Sequence, residues 1–172
     1  MKKMLVITAA VVVLFGSLYF YMSGRGRRVN TGLAAGGAPE NFILGMKGPE
    51  IYRLNDIIGR YVIVLAFLDS APPSVKFLDM YRSRLWDYIL SRPDIIWFNI
   101  KKDEQHAVIE EQTEHLNLMY RTPYSSMPDL YDFKNMPAVL IIDKKGVIKL
   151  VYSGYSPTIF SDLRDGLAAA AK

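Results

Sequence analysis

The chain has 172 residues and a formal net charge of +4, with 22% charged and 51% hydrophobic residues. This length suits one ordinary domain plus an appendage, and the composition excludes a disordered or collagen-like chain. The first 37 residues contain five basic residues and no acid, which leaves a formal charge of −1 for the remainder. A near-neutral domain lacks the basic surface that binds a phosphate backbone, so we expect no nucleic-acid partner. The absence of cysteine excludes disulfides, thiolate metal ligands and thiol nucleophiles.

An uncharged, strongly apolar run occupies residues 4–22. A helix of that length spans about 28 Å, close to the hydrocarbon thickness of a bilayer, and three aromatic residues at 19–21 suit its interface. A cleaved signal peptide is the alternative, but the run is long for one and no small-x-small cleavage pattern follows closely. We predict a transmembrane signal anchor over residues 1–22, in contact with lipid through residues 4–22. A flexible linker rich in Gly, Ala and Arg is predicted over residues 23–37.

The predicted domain covers residues 38–172, and its first half alternates strands and helices. Residues 42–44 and 51–53 are typical of a hairpin, and residues 54–58 of one helical turn ended by Gly59. Residues 61–67 are apolar on both faces, which is typical of a central strand. A helix is predicted over residues 73–90, because apolar residues recur there at helical spacing.

The second half contains two more buried strands, predicted over residues 95–100 and 138–142. Between them we predict a polar-faced helix from residue 103 or 104 to 116, then an irregular stretch over 117–136. A turn at 143–146, a partner strand at 147–152 and an Ala-rich helix at 157–171 complete the chain. This order predicts an α/β domain with a mixed sheet and helices on both faces.

Several passages, taken in chain order, resemble thioredoxin-like proteins of the TlpA/ResA type. Residues 38–42 (APENF) and 58–67 (IGRYVIVLAF) resemble the start of that domain, where a strand leads into a Trp-Cys-Pro-Pro-Cys box. Here the box reads Ala71-Pro72-Pro73-Ser74, so both prolines are present and both cysteines are replaced. Residues 135–146 (NMPAVLIIDKKG) resemble the family's cis-proline loop, strand and turn, which makes Pro137 the cis-proline candidate. The resemblance covers nearly all of residues 38–172 and implies a thioredoxin-like mixed sheet flanked by helices.

The replaced cysteines decide the chemistry of the box. Thiol–disulfide exchange needs a thiolate of low pKa at a helix N-terminus and a second thiol that resolves the mixed disulfide. Ala71 has no heteroatom, and the hydroxyl of Ser74 stays protonated at physiological pH. We therefore exclude thiol–disulfide exchange and predict that the protein is not an enzyme. Asp69-Ser70 also replaces the usual Thr-Trp, which favours natural loss of the box over an engineered substitution.

Other catalytic and metal-binding interpretations are weaker. Ser70 or Ser74 with His106 or His115 resembles a hydrolase triad only in composition, since neither serine lies in a Gly-x-Ser-x-Gly elbow. We expect a helix-capping serine, surface histidines and a solvated acidic helix face over residues 103–114. The methionines of residues 117–136 are expected to fill the loop and core rather than to bind copper. No metal or cofactor is predicted.

A binding surface is what the predicted fold retains. The resemblance implies that Met136 and Pro137 face residues 71–74, where an extended polypeptide pairs with redox-active relatives. The preceding stretch is rich in aromatic and methionine side chains, and the partner-binding candidates there are Tyr120, Tyr124, Met127, Tyr131 and Met136. These side chains suit protein contacts, or they pack the long loop onto the domain; both interpretations stay open.

These features lead to one hypothesis and two alternatives. The hypothesis is a redox-inactive, membrane-anchored thioredoxin-like protein that binds other proteins, as an accessory or assembly subunit of a membrane-associated complex. One alternative is a chaperone-like factor in cytochrome or metal-centre maturation, and the other is an enzyme using a non-thiol group near Ser74. The resemblance implies an anchor in the inner (cytoplasmic) membrane, with the C-terminal domain in the periplasm or another extracytoplasmic space.

Overall fold

The computed structural model describes residues 33–103 and 105–172. The predicted anchor and the first ten residues of the predicted linker lie outside these residues. No helix within the described ranges has both the length and the apolarity needed to cross a bilayer. Leu33 is buried, and Gly36 and Gly37 exchange backbone hydrogen bonds of 2.8 Å with Ile148.

Eight strands and four α-helical segments make up the described part of the chain. The strands are β1 (Ile43–Lys47), β2 (Glu50–Arg53), β3 (Val62–Leu68), β4 (Ile95–Lys102), β5 (His106–Glu111), β6 (Met119–Pro123), β7 (Ala138–Ile142) and β8 (Ile148–Ser153). The helices are α1 (Leu54–Ile57), α2 (Pro72–Met80), α3 (Trp86–Leu90) and α4 (Ile159–Ala170). A π-helical turn (Tyr81–Leu85) joins α2 to α3, and 3₁₀ turns cover Tyr124–Ser126 and Asp129–Tyr131.

Six strands form one mixed sheet in the order β6-β5-β4-β3-β7-β8. Strands β3 and β4 are parallel, and every other neighbouring pair in this sheet is antiparallel. The central position of β3 explains its sequence, because all seven of its residues are buried between two covered faces. The predicted strands at 61–67, 95–100, 138–142 and 147–152 are thus confirmed within one or two residues.

The alternation of side chains along β3 divides the core into two layers. Val62, Val64 and Ala66 point to the layer that α2, α3 and α4 cover with Phe77, Leu163 and other apolar side chains. Residues 63, 65 and 67 point to the opposite layer, which the β1–β2 hairpin, the single turn α1 and the loop around Tyr131 cover. The three longer helical segments therefore share one face of the sheet, and the expectation of helices on both faces is wrong for them; in the described part of the chain, the single turn α1 lies on the other face.

The helix predicted from residue 103 or 104 to 116 is wrong, because residues 106–111 form strand β5. Asp103 reverses the chain after β4, since its Oδ1 accepts hydrogen bonds from the N–H groups of Gln105 (3.0 Å) and His106 (2.5 Å). The backbone of β5 then pairs with β4 on one side and β6 on the other. Ala107 and Ile109 are buried at alternate positions, and this ladder overrides the weak helical propensity of the segment.

The solvated acidic face expected over residues 103–114 is also corrected, because Glu111 is only 7% exposed. Its carboxylate accepts hydrogen bonds from the hydroxyl of Thr113 (2.7 Å) and from the backbone N–H groups of His115 and Leu116 (both 2.6 Å). These bonds shape the loop between β5 and β6. The stretch predicted as irregular over 117–136 contains β6, which pairs along the outer side of β5.

The remaining predicted elements agree with the structure. Residues 42–44 and 51–53 contribute to the β1–β2 hairpin, and residues 54–57 form one turn of helix. The predicted helix over residues 73–90 is present and starts one residue earlier, at Pro72. The C-terminal helix α4 occupies Ile159–Ala170, inside the predicted bounds.

Candidate functional site

The segment between β3 and α2 carries the box that the sequence analysis identified. Strand β3 ends at Leu68, and α2 begins with Pro72 and Pro73, which suit a first helical turn because the N–H that proline lacks has no partner there. The N–H of Ser74 donates to the C=O of Ala71 at 3.0 Å and closes the first turn. Ala71 and Ser74 thus lie at the N-terminus of the helix, as the resemblance implies.

Ser74 and Asp69 lock this segment through a compact set of hydrogen bonds. The hydroxyl of Ser74 donates to Oδ1 of Asp69 at 2.6 Å and lies 3.3 Å from the N–H of Asp69, which donates to it. The same Oδ1 accepts the N–H of Ala71 at 3.1 Å. Ser74 is fully buried, so its hydroxyl is a structural group that holds the turn and is closed to a substrate.

A groove of about 440 Å³ opens beside this locked segment. Its lining residues are Pro72, Pro73, Lys76, Lys134, Asn135, Met136, Gly154 and Tyr155. The groove brings the first turn of α2 together with the loop before β7, the two parts that the resemblance predicts to be neighbours. The Met136–Pro137 peptide bond in this loop is cis.

Two contacts fix the wall of the groove that contains Met136. The N–H of Gly154 donates to the C=O of Pro137 at 2.8 Å, and the hydroxyl of Ser153 donates to the C=O of Asn135 at 2.9 Å. Within residues 33–103 and 105–172, no group forms a hydrogen bond with the N–H or C=O of Met136. Met136 lines the groove with its backbone N–H and C=O unpartnered within the described residues, while its two flanking residues are held in place.

The five partner-binding candidates fall in different environments. Tyr131 is 1% exposed and stacks on Phe67, with ring centroids 5.5 Å apart, while Met127 is 8% exposed. The packing interpretation therefore holds for these two residues, and burial raises the pKa of the Tyr131 hydroxyl well above its ordinary value. Tyr120 is half-buried against the same core layer, and Tyr124 lies in the 3₁₀ turn after β6. Met136 lines the groove.

The histidines do not assemble a hydrolase triad with Ser74, whose hydroxyl is bonded to Asp69. His115 lies in the loop after β5, with Nε2 3.0 Å from the C=O of Ile95 and its ring stacked on Tyr61. Ile95 and Tyr61 mark the starts of β4 and β3, and Ser74 follows the far end of β3. Among the residues described, no three His, Asp or Glu side chains converge as a metal site would require.

The sequence analysis missed four groove residues: Lys76, Lys134, Gly154 and Tyr155. A signal for the last two was available, because the predicted β7–β8 hairpin must return the end of β8 to the start of β7. Gly154 and Tyr155 follow β8, so they lie beside Pro137 at that end. No sequence motif marks Lys76 or Lys134 as groove residues, because lysines are common on protein surfaces.

No family model matches the sequence, and no curated protein does either. Solved structures are similar in fold. The crystal structure of a putative thiol:disulfide interchange protein DsbE from Chlorobium tepidum has a TM-score of 0.59 and 21% identity, covering 81% of this chain and 99% of that one. The solution structure of a putative protein disulfide isomerase from Bacteroides thetaiotaomicron has a TM-score of 0.55 and 14% identity, covering 80% and 90%.

A third similar structure is the solution structure of a thiol:disulfide interchange protein from Bacteroides sp. Its TM-score is 0.51 and its identity 12%, covering 81% of this chain and 92% of that one. The described domain therefore has a thioredoxin-like α/β fold, as the sequence analysis predicted. The neighbours' names refer to thiol–disulfide chemistry, which a chain without cysteine cannot perform.

Proposed function

We propose that this protein is a redox-inactive, membrane-anchored thioredoxin-like protein that acts by binding another protein, as an accessory or assembly subunit of a membrane-associated complex. One observation carries the proposal: the box is closed around a buried Ser74, while the groove beside it stays open. The position that carries a thiol in the resembled family holds a hydroxyl bonded to Asp69. The groove surface beside the box therefore stays accessible, whereas the Ser74 hydroxyl does not.

The groove suits an extended polypeptide. Met136 lines it, and the unpartnered N–H and C=O of this residue match the backbone groups that an added strand presents. Proline, methionine and tyrosine side chains supply apolar contact area around them. Such residues are typical of protein interfaces, where methionine and aromatic side chains are enriched.

The membrane part of the proposal rests on the sequence. The uncharged run at residues 4–22 is long enough to span a bilayer and would confine the domain to its surface. We propose an inner-membrane location with the domain on the periplasmic or extracytoplasmic side. The enzyme alternative near Ser74 receives no support from the geometry, because that hydroxyl is buried.

Site-specific photo-cross-linking in the native membrane tests the proposal. A photoreactive phenylalanine analogue replaces Tyr155, which lines the groove and is 42% exposed. The matched control places the same analogue at Leu90, which is 53% exposed at the end of α3, where the chain turns toward the start of β4. We expect a discrete protein adduct from position 155 that is absent from position 90, and co-migration of the full chain with that protein after detergent solubilisation. A monomeric chain without an adduct at 155 would refute the proposal.

A further inference from the structure

The charges around the groove are all of one sign. Of the eight described residues that line it, two are lysines, Lys76 on α2 and Lys134 in the loop before Met136, and none is acidic. Within the described part of the chain, neither lysine forms a salt bridge or a side-chain hydrogen bond. Both ammonium groups are therefore available to a ligand in the groove.

Of the acids near these lysines in sequence, Asp69 and Asp132 are already engaged, and Asp79, which is exposed on α2, is not among the described residues that line the groove. Oδ1 of Asp69 accepts the Ser74 hydroxyl and the N–H of Ala71. Asp132, two residues before Lys134, pairs with Lys102 at 2.7 Å across the loop. The positive charge of the groove thus stands inside a domain whose formal charge is near zero, so it is a local feature.

We propose that the groove selects an acidic segment of its protein partner, bound in an extended conformation with carboxylate side chains against Lys76 and Lys134. This inference rests on the proposed function and names the partner's chemistry. Backbone pairing at Met136 supplies the extended geometry, since alternate side chains of an added strand point to the same side. The ammonium groups of the two lysines then form ion pairs with those carboxylates, and Tyr155 and Met136 contact apolar side chains of the peptide.

A peptide partner fits these observations better than an anionic membrane or a nucleic acid. Those polyanions are recognised by extended clusters of Lys and Arg, whereas the described lining of this groove has two cations among proline, methionine, tyrosine and asparagine side chains. Exposed charge pairs are individually weak, so the lysines are expected to tune selectivity more than total affinity. Neutralising both lysines is expected to weaken the affinity for an acidic peptide by about threefold to tenfold.

Peptide selection against the full chain in neutral-lipid nanodiscs tests the inference. Random dodecapeptides displayed on phage are selected on the wild-type protein and on Lys76→Glu/Lys134→Glu. A matched control, Lys144→Glu/Lys145→Glu, reverses two lysines in the β7–β8 turn. We expect Asp and Glu to be enriched with the wild type and the control, and Lys and Arg to be enriched with the groove variant. Acidic binding should also fall with salt, because the Debye length shrinks from about 10 Å at 0.1 M to about 3 Å at 1 M.

The other outcomes overturn the inference in distinguishable ways. If Tyr155→Ala weakens the binding of the selected peptides but these peptides are not enriched in Asp and Glu, the charge selection is refuted and the proposed function stands. Phosphatidylglycerol vesicles that bind through both lysines, without acidic peptides, would identify a membrane surface as the occupant and refute the inference. Recovery of no groove-dependent peptide would also refute it, and the cross-linking at position 155 would then judge the proposed function separately.

Discussion

The hydroxyl of Ser74 donates a 2.6 Å hydrogen bond to the carboxylate of Asp69, across the turn where the resembled family carries its redox box. The side chain of Ser74 is fully buried and also accepts the N–H of Asp69. Ser74 therefore has a structural role in the turn. The groove next to it owes its shape to this turn, because Pro72 and Pro73 lie between the two bonded ends.

Ser74→Ala is expected to destabilise the fold by about 1–3 kcal/mol, because it removes a buried hydroxyl and leaves the N–H of Asp69 without its acceptor. Urea denaturation monitored by tryptophan fluorescence measures the change. Ser91→Ala is the control, since the Ser91 hydroxyl bonds to the C=O of Tyr88 on the exposed surface and its loss should cost less than about 0.5 kcal/mol. Equal losses in the two variants would contradict the structural role of Ser74.

Ala71→Cys/Ser74→Cys is expected to form an intramolecular disulfide. The bond from the N–H of Ser74 to the C=O of Ala71 closes a tight turn, which keeps the two Cα atoms within about 7 Å, near the reach of a disulfide. The chain has no other cysteine, so thiol titration reads the pair directly. Because position 74 is buried, the thiols are titrated in denaturant: each single variant kept in air should show one thiol, and the double variant should show two only after reduction. Two free thiols in the oxidised double variant would show that the box is misassigned.

Glu111→Ala is expected to cost about 2 kcal/mol or more, because the backbone N–H groups of His115 and Leu116 lose a charged acceptor. Glu110→Ala is a closely matched control one residue away. The Glu110 carboxylate is half-exposed and makes only a 3.7 Å ion pair with Lys101, so we expect a loss of no more than about 1 kcal/mol. Thermal unfolding of both variants compares the two values, and the reverse order would argue against strand β5.

Asp143→Asn is expected to lower stability by about 1–2 kcal/mol at neutral pH, because Oδ2 of Asp143 loses its 2.9 Å ion pair with Lys149. Burial by itself would raise the pKa of Asp143, but Lys149 and the N–H groups of Val147 and Lys145 outweigh it and lower the pKa. A lowered pKa gives stability that is present above the unfolded value of about 3.9 and is lost as the pH falls through the folded value.

The gap between wild type and Asp143→Asn should therefore be constant near neutrality and shrink below about pH 4. Urea midpoints measured from neutral to acidic pH check this behaviour. Asp165→Asn supplies the control, because the side chain of Asp165 is 75% exposed and its substitution should change the free energy of unfolding little. A gap that widened in acid would contradict the lowered pKa.

The sequence by itself determined the elements whose residues leave little choice. Strands β3 and β7 read as buried because their apolar runs have no polar face, and the start of α2 is marked by two prolines after a strand. The missing cysteines excluded thiol chemistry without any coordinates. These features depend on residues that are adjacent in the sequence, so they can be recognised without a structure.

Only the tertiary structure decided the nature of residues 106–111 and of the groove. A stretch with three adjacent apolar residues fits a short helix or a strand equally well, and pairing with β4 and β6 made it β5. The same applies to Tyr131, whose aromatic side chain suits an interface but is buried on Phe67. Lys76 and Lys134 are far apart in sequence, and the crossover through α2 and the strand order bring them to one end of the sheet. Spatial neighbours of this kind depend on strand order, which a single sequence does not encode in any local pattern.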